Sequence, residues 1–245
     1  MFKGLSILFL FWAVNVNAQI LLFSDNFDDG NTSDWHLVNA ELSTDHPHSG
    51  SYCVKVTHRQ TAMLRKELEM ATMLNYNEIT IIYWWYTDPS WVTGTGVKYC
   101  RLRVPDQTMQ TELWFEESLG HEPCALGGHQ YGTNAQSERS FYPGTEQSYN
   151  KGQWMKIQIR YVYNSPGRSD GILQIWFNDV LKYNYSNVGY RNSTNIAYNQ
   201  FYLPSNIGTS NSNCINYIDD VEIWAGVPNS DPPPSQVQGI QVTSK

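Results

Sequence analysis

The sequence predicts an all-β protein, a single sandwich of two antiparallel sheets over residues 19–225. Three observations carry that prediction. Short runs of alternating or continuous apolar residues recur along the chain, punctuated by Gly, Pro, Asn and Ser. No segment holds a 3.6-residue apolar period for more than a turn or two, so negligible helix is expected. Finally, 16 Tyr and 9 Trp among 245 residues favour pleated, half-buried surfaces. The span is long enough to bury one full core.

Residues 1–18 read as a secretory signal peptide. Lys3 supplies the positive start, Leu5 to Val16 is almost wholly apolar, and Val16-Asn17-Ala18 fits a small-residue cleavage site before Gln19. The apolar run is too short to span a bilayer, so a secreted, extracellular protein is expected. Asp25-Asn-Phe-Asp-Asp-Gly30 is a turn leading to Trp35. The strands follow as Tyr52–His58, the near-continuous apolar run Ile79–Tyr86, Val97–Val104, Met109–Glu116, Trp154–Tyr163, Ile172–Phe177 and Ile215–Trp224. Thr61–Met73 has helix-forming composition but reads equally as a strand with a loop. Residues 118–150 read as a long Gly- and Gln-rich connection holding His121, Cys124, His129 and Tyr131. Asn164-Ser-Pro-Gly-Arg-Ser-Asp-Gly171 is a hairpin signal feeding the alternating strand that ends at Asn178-Asp179. Residues 226–245 are a Pro-rich linker and a tail, Ser235–Thr243, similar to the first strand of a fibronectin type III module, so further domains are expected beyond it.

The formal net charge is -7, and loss of Lys3 with the signal makes it -8. That excludes the usual signature of nucleic-acid partners or anionic membrane surfaces. The charge is uneven. Lys55, Arg59, Arg65, Lys66, Lys98, Arg101 and Arg103 dominate 55–103, whereas 104–147 holds Arg139 against seven carboxylates. The four cysteines, Cys53, Cys100, Cys124 and Cys214, suggest disulfides in an exported chain and permit three pairings. Zinc is disfavoured, since no Cys or His pair has ligand spacing.

Strand parity supplies candidate binding residues. Met155, Ile157, Ile159 and Tyr161 form one face, which leaves Lys156, Gln158 and Arg160 on the other; Gln174 and Trp176 likewise oppose Leu173, Ile175 and Phe177. Such rows suit sugar binding, with amides and guanidinium for hydroxyls or uronates and indole for stacking. They suit the wet face of an antiparallel sheet equally well. Trp114 is a further candidate sugar contact. It lies between Glu112 and Glu116, and retaining glycoside hydrolases use two carboxylates in this way. Regular alternation with Leu102 and Val104 turns Lys98 inward.

Two resemblances sharpen these readings. The Asp-rich opening before Trp35 and the closing Ile218-Asp-Asp-Val221 resemble jelly-roll carbohydrate-binding modules, whose first and last strands lie side by side and share a structural calcium; this implies Asp25, Asp28 and Asp220 as calcium ligands. Gly96-Val-Lys98-Tyr-Cys-Arg101, the Asn164 hairpin, Trp176-Phe-Asn-Asp179, Tyr190-Arg191 and Ile218-Asp-Asp-Val resemble the concanavalin A-like jelly-roll polysaccharide lyases that cleave alginate, glucuronan and related uronates. The resemblance covers about residues 94–224. It implies β-elimination, with Lys98, Arg101 or Arg103 neutralising the uronate and His129 or Tyr131 moving protons. Arg65-Lys-Glu-Leu-Glu69 is similar to an Arg-x-Glu-Leu-Arg strand of other alginate lyases, but its last residue has the opposite charge and it is read as coincidence. A polysaccharide is the expected partner, whether the chain is a lyase, a non-catalytic binding module or a hydrolase using Glu112 and Glu116.

Overall fold

The computed structural model describes residues 19–58, 62–90, 97–116, 124–144, 146–147, 151–207 and 214–228. The chain forms β1 (Ile20–Asp25), β2 (Trp35–Val38), β3 (Ala40–Ser43), β4 (Cys53–His58) and β5 (Met63–Glu67), then a single helical turn, α1 (Met70–Met73). Next come β6 (Glu78–Thr87), β7 (Val97–Arg103), β8 (Gln110–Glu116), β9 (Cys124–Tyr131), β10 (Arg139–Phe141) and β11 (Glu146–Gln147). The last five strands are β12 (Trp154–Val162), β13 (Gly171–Phe177), β14 (Val180–Val188), β15 (Gln200–Ile207) and β16 (Cys214–Ala225).

These strands make two sheets. The first runs β14-β13-β12-β6-β16-β4-β3, with β1 also on β16; the second runs β10-β9-β8-β7-β15-β5-β2, with β11 also on β9. All pairings within them are antiparallel. The sandwich expected from the sequence is therefore the fold. Between the sheets lies one apolar core. The first sheet gives it Tyr83, Trp85, Ile157, Ile159 and Phe177; the second gives Tyr99, Leu102, Leu113, Phe115 and Phe201. Each such side chain contributes about 1.5–3 kcal/mol by leaving water.

Sequence parity accounts for the centre of the first sheet. Ile157, Ile159 and Tyr161 point inward beside Tyr83, Ile81 and Ile79, so Gln158 and Arg160 face out. The hairpin after β12 closes as its residues dictate. The Asn164 side chain donates to the carbonyls of Ser165 (3.0 Å) and Arg168 (2.9 Å), and Asp170 accepts from the Ser165 amide (2.7 Å). The terminal strands also meet as expected. β4 covers the first half of β16 and β1 the second, with Asp25 opposite Val221. Where one partner gives way to the other, β16 shifts register against β6 between Asp219 and Glu222, and Asp220 takes φ 46°.

The sequence reading missed several strands, each for a physical reason. Residues 124–131, placed in a loop, are a strand of the second sheet, and Gly127-Gly128 is a packing requirement there. A Cβ on Gly127 would come within 2.3 Å of Trp114 Nε1, and one on Gly128 within 2.8 Å of Leu113 Cδ2. β15 carries Pro204, which ordinarily argues against an interior strand; the ladder to β5 shifts register between Tyr202 and Ser205, and the proline is accommodated in that irregularity. β14 is an edge strand whose polar residues mask alternation. Within 61–73, strand and helix both occur, as β5 and the four residues of α1.

Candidate active site

The outer face of the second sheet gathers Lys98, Arg101, Arg103, His129 and Tyr131. Its placement begins with a bulge in β7. Lys98 pairs with Trp114, but Cys100 already pairs with Leu113, so Tyr99 is the additional residue and both Tyr99 and Cys100 turn into the core. The irregularity reverses parity. Lys98, expected to point inward, instead shares the outer face with Arg101 and Arg103.

Three lateral rungs result. The first pairs Arg65, Tyr202, Arg101, Glu112 and His129 across five strands. The second pairs Glu67, Gln200, Arg103, Gln110 and Tyr131. The third pairs Lys98, Trp114 and Gly127. Glu112 is the hub. Its Oε2 lies 2.9 Å from Lys98 Nζ, and its Oε1 lies 3.0 Å from Arg101 Nε. Arg101 Nη2 also donates to Gln110 Oε1 (2.7 Å), while Arg103 Nε donates to Gln200 Oε1 (2.9 Å). Gln200 in turn donates to Glu67 (3.0 Å). The Tyr202 ring sits among three guanidinium groups, with Arg103 at 4.9 Å and Arg65 and Arg101 each at 5.9 Å.

The His129 and Tyr131 rings pack 4.7 Å apart. Burial, and then the Glu112 charge, push the Tyr131 phenol above its ordinary value, so it stays protonated well past neutral pH. Burial lowers Arg103, which nevertheless remains cationic. Arg65, Lys98, Arg101 and Arg103 face Glu67 and Glu112 in this network, which leaves the face net positive although the chain is acidic. Sequence reasoning set Arg65 aside and missed Gln200 and Tyr202. The alternation of Arg65 and Glu67 about the core-facing side of β5 was the available signal for the first.

The proposed sugar contacts do not all join this face. Trp114 does, backed by Gly127. Gln158, Arg160, Gln174 and Trp176 stand together on the outer face of the first sheet, across the core from Lys98. There Arg160 bonds Glu78 (2.8 Å) and Gln174 (2.6 Å), and Gln174 bonds Asn184 (3.1 Å). Trp176 is almost fully buried. The two sets cannot line one cleft.

Of the three expected calcium ligands, Asp25 and Asp220 line one pocket with Asp29 and Glu222, while Asp28 is turned to another partner. Asp25 accepts from the Phe27 amide and from Trp35 Nε1, each at 2.7 Å. Asp28 turns to the Ser51 amide (2.6 Å) over Gly50, where an added Cβ would overlap its carboxylate. Asp220 pairs with His48 Nδ1 and accepts from Ser49 Oγ (2.7 Å). Among the described residues no group of three or more His, Cys, Asp or Glu is arranged to hold a metal ion. Beside Asp220, Asp219 is fully buried, and burial raises it to about 6 despite amide donors from His48, Ser49 and Asp220.

The expected disulfides are not made at Cys53 or Cys100, which are free and buried. Cys100 lies in the main core, whereas Cys53 packs with Tyr86 and Tyr217 in a separate cluster on the outer side of the first sheet. A sheet separates the two thiols. Burial pushes the Cys53 thiol up to about 12. The side chains of Cys124, Cys214 and Glu116, residue His121, the signal segment and the chain from residue 229 lie outside the described residues.

A jelly-roll sandwich with a cationic, tyrosine-bearing outer sheet face is the class that this geometry defines. Comparison with known proteins agrees on the fold. Residues 123–219 match the family model of polysaccharide lyase 14, a span that includes His129 and Tyr131 but not β7. The structure is similar to the alginate lyase from a Chlorella virus, with TM-score 0.62 and 12% identity over 84% of this chain and 100% of that one. It is also similar to the endo-β-1,4-glucuronan lyase of the fungus Trichoderma reesei (TM-score 0.60, 11% identity, 84% and 96% covered). The marine polysaccharide lyase 14 alginate lyase of Aplysia kurodai gives TM-score 0.56 at 14% identity over 83% and 89%. No curated protein matches the chain by sequence. No helix among the described residues is long and apolar enough to cross a membrane.

Proposed function

We propose that this chain is an exported polysaccharide lyase that cleaves a uronic-acid polymer by β-elimination. The observation that carries the reading is the convergence of Lys98, Arg101, Arg103, His129 and Tyr131 on one sheet face, through pairings that bring together β7, β8 and β9. The family-model match and the lyase neighbours support it.

Elimination breaks the C5–H bond and the C4–O bond of a uronate and forms a C4=C5 double bond, with no water consumed. The difficulty is acidity at C5, because the electron pair left there spreads into the carboxylate. Cations on that carboxylate lower the barrier by holding the charge as it grows. Lys98 and Arg101 fill this role, with Arg103 beside them on β7. His129, in its neutral form, takes the C5 proton. Tyr131, kept as a phenol by burial and by Glu112, gives a proton to the leaving oxygen. Trp114, beside Lys98, offers an indole for a neighbouring sugar ring.

The test is incubation with alginate, glucuronan, pectate and neutral β-glucans, following the ultraviolet absorbance of the unsaturated uronate alongside reducing ends. Unsaturated product is expected on a uronate polymer. Tyr131→Phe should lower the rate about a hundredfold, the usual cost of one transition-state donor, without moving the melting temperature, and Lys98→Ala should lower it likewise with some loss of stability because Glu112 loses a partner. Binding without product would identify a carbohydrate-binding module instead. Reducing ends without unsaturated product, lost in Glu112→Gln, would identify a hydrolase.

A further inference from the structure

We infer that Glu112 is a resident counterion that occupies the seat a substrate carboxylate needs, so that it sets how tightly this face holds a polyuronate. The inference rests on the lyase reading and deepens it. Glu112 is a carboxylate that the chain has fixed between the two cations best placed to meet a uronate. Both of its oxygens are engaged, one by Lys98 and one by Arg101, and only 7% of the residue is exposed. It cannot swing into solvent without leaving two cations unpaired.

A uronate that reaches Lys98 and Arg101 therefore arrives against a like charge a few ångströms away, and like charges in a shared site oppose each other's ionised form. The Lys98 side chain is 30% exposed and that of Arg101 11%, so the approach open to a ligand is from the Lys98 side, next to Trp114. Glu112 also adjoins Tyr131 electrostatically and helps to hold the phenol up. One side chain thus restrains affinity and adjusts the proton donor. Neither effect belongs to a carboxylate that merely fills space.

Glu112→Gln keeps the shape and removes the charge. Affinity for alginate and glucuronan tetrasaccharides, measured by calorimetry, is expected to rise about tenfold, with a steeper loss on adding salt. In the unliganded protein the Tyr131 titration, followed by ultraviolet difference, should move to lower pH, and the alkaline limb of the elimination rate should follow it. Unchanged or weaker binding by the variant, while the native protein binds or cleaves, overturns the inference and leaves the lyase reading intact. Absence of binding and of unsaturated product in both proteins overturns the lyase reading and this inference with it, whatever Tyr131 does. Should Glu112→Gln not fold, Glu112→Asp draws the charge back by one methylene and is judged by the same criteria, with a smaller gain.

Discussion

Gly127→Ala tests the packing that supports the candidate site. Gly127 sits in β9 directly opposite Trp114, and an added methyl would lie 2.3 Å from the indole Nε1 and 2.6 Å from Cε2. Ordinary contact begins near 3.4 Å, so the indole must retreat by about 1 Å or the strands must part. Overpacking of this kind costs roughly 1–3 kcal/mol. For a chain of this size that is a fall in melting temperature of roughly 2–12 °C. Because Trp114 stands beside Lys98, uronate affinity should fall as well. The assay is a double-mutant cycle by thermal melting, since with Trp114→Ala the added methyl meets no indole and its cost should largely vanish. A neutral Gly127→Ala in the native background, or an equal cost in both, would refute the claim that this glycine exists to seat the tryptophan.

Two further outcomes follow from the carboxylates near the terminal strands. Asp219, raised to about 6 by burial, binds its proton more tightly folded than unfolded; its stabilisation is complete below the ordinary carboxylate value of 3.8 and is lost as pH rises through about 6. The native protein should therefore lose about 2 kcal/mol relative to Asp219→Asn between pH 4 and pH 7 in denaturant titrations, and parallel pH profiles would contradict the burial argument. If calcium is held where Asp25 and Asp220 line one pocket with Asp29 and Glu222, chelator should lower the melting temperature and added calcium restore it; melting indifferent to both would show that the site does not exist.

Much of the fold was legible because its central strands obey simple parity. β12 and β13 alternate cleanly, β6 is a long apolar run, and the Asn164 hairpin announces itself. The candidate site was legible by residue type, but not by position. Lys98 reaches the outer face only because β7 bulges at Tyr99, and a bulge leaves no mark in an alternation pattern. Gly127-Gly128 read as loop residues because glycine signals flexibility locally, whereas here it makes room for a tryptophan on the neighbouring strand. Gln158 and Arg160 were equally well suited to a binding face or a wet one. Only the pairing of sheets placed them across the core from the cations. Contacts such as His48 with Asp220, 172 residues apart, depend on the closed topology and have no local signature.

The division of the candidate residues between two opposite faces is the central structural claim, and amide hydrogen exchange with bound alginate or glucuronan tetrasaccharide tests it most directly. Protection is expected in Val97–Arg103, Gln110–Glu116 and Cys124–Tyr131, with Gly171–Phe177 unaffected. Protection confined to Trp154–Val162 and Gly171–Phe177 would place the sugar on the other sheet and contradict the account.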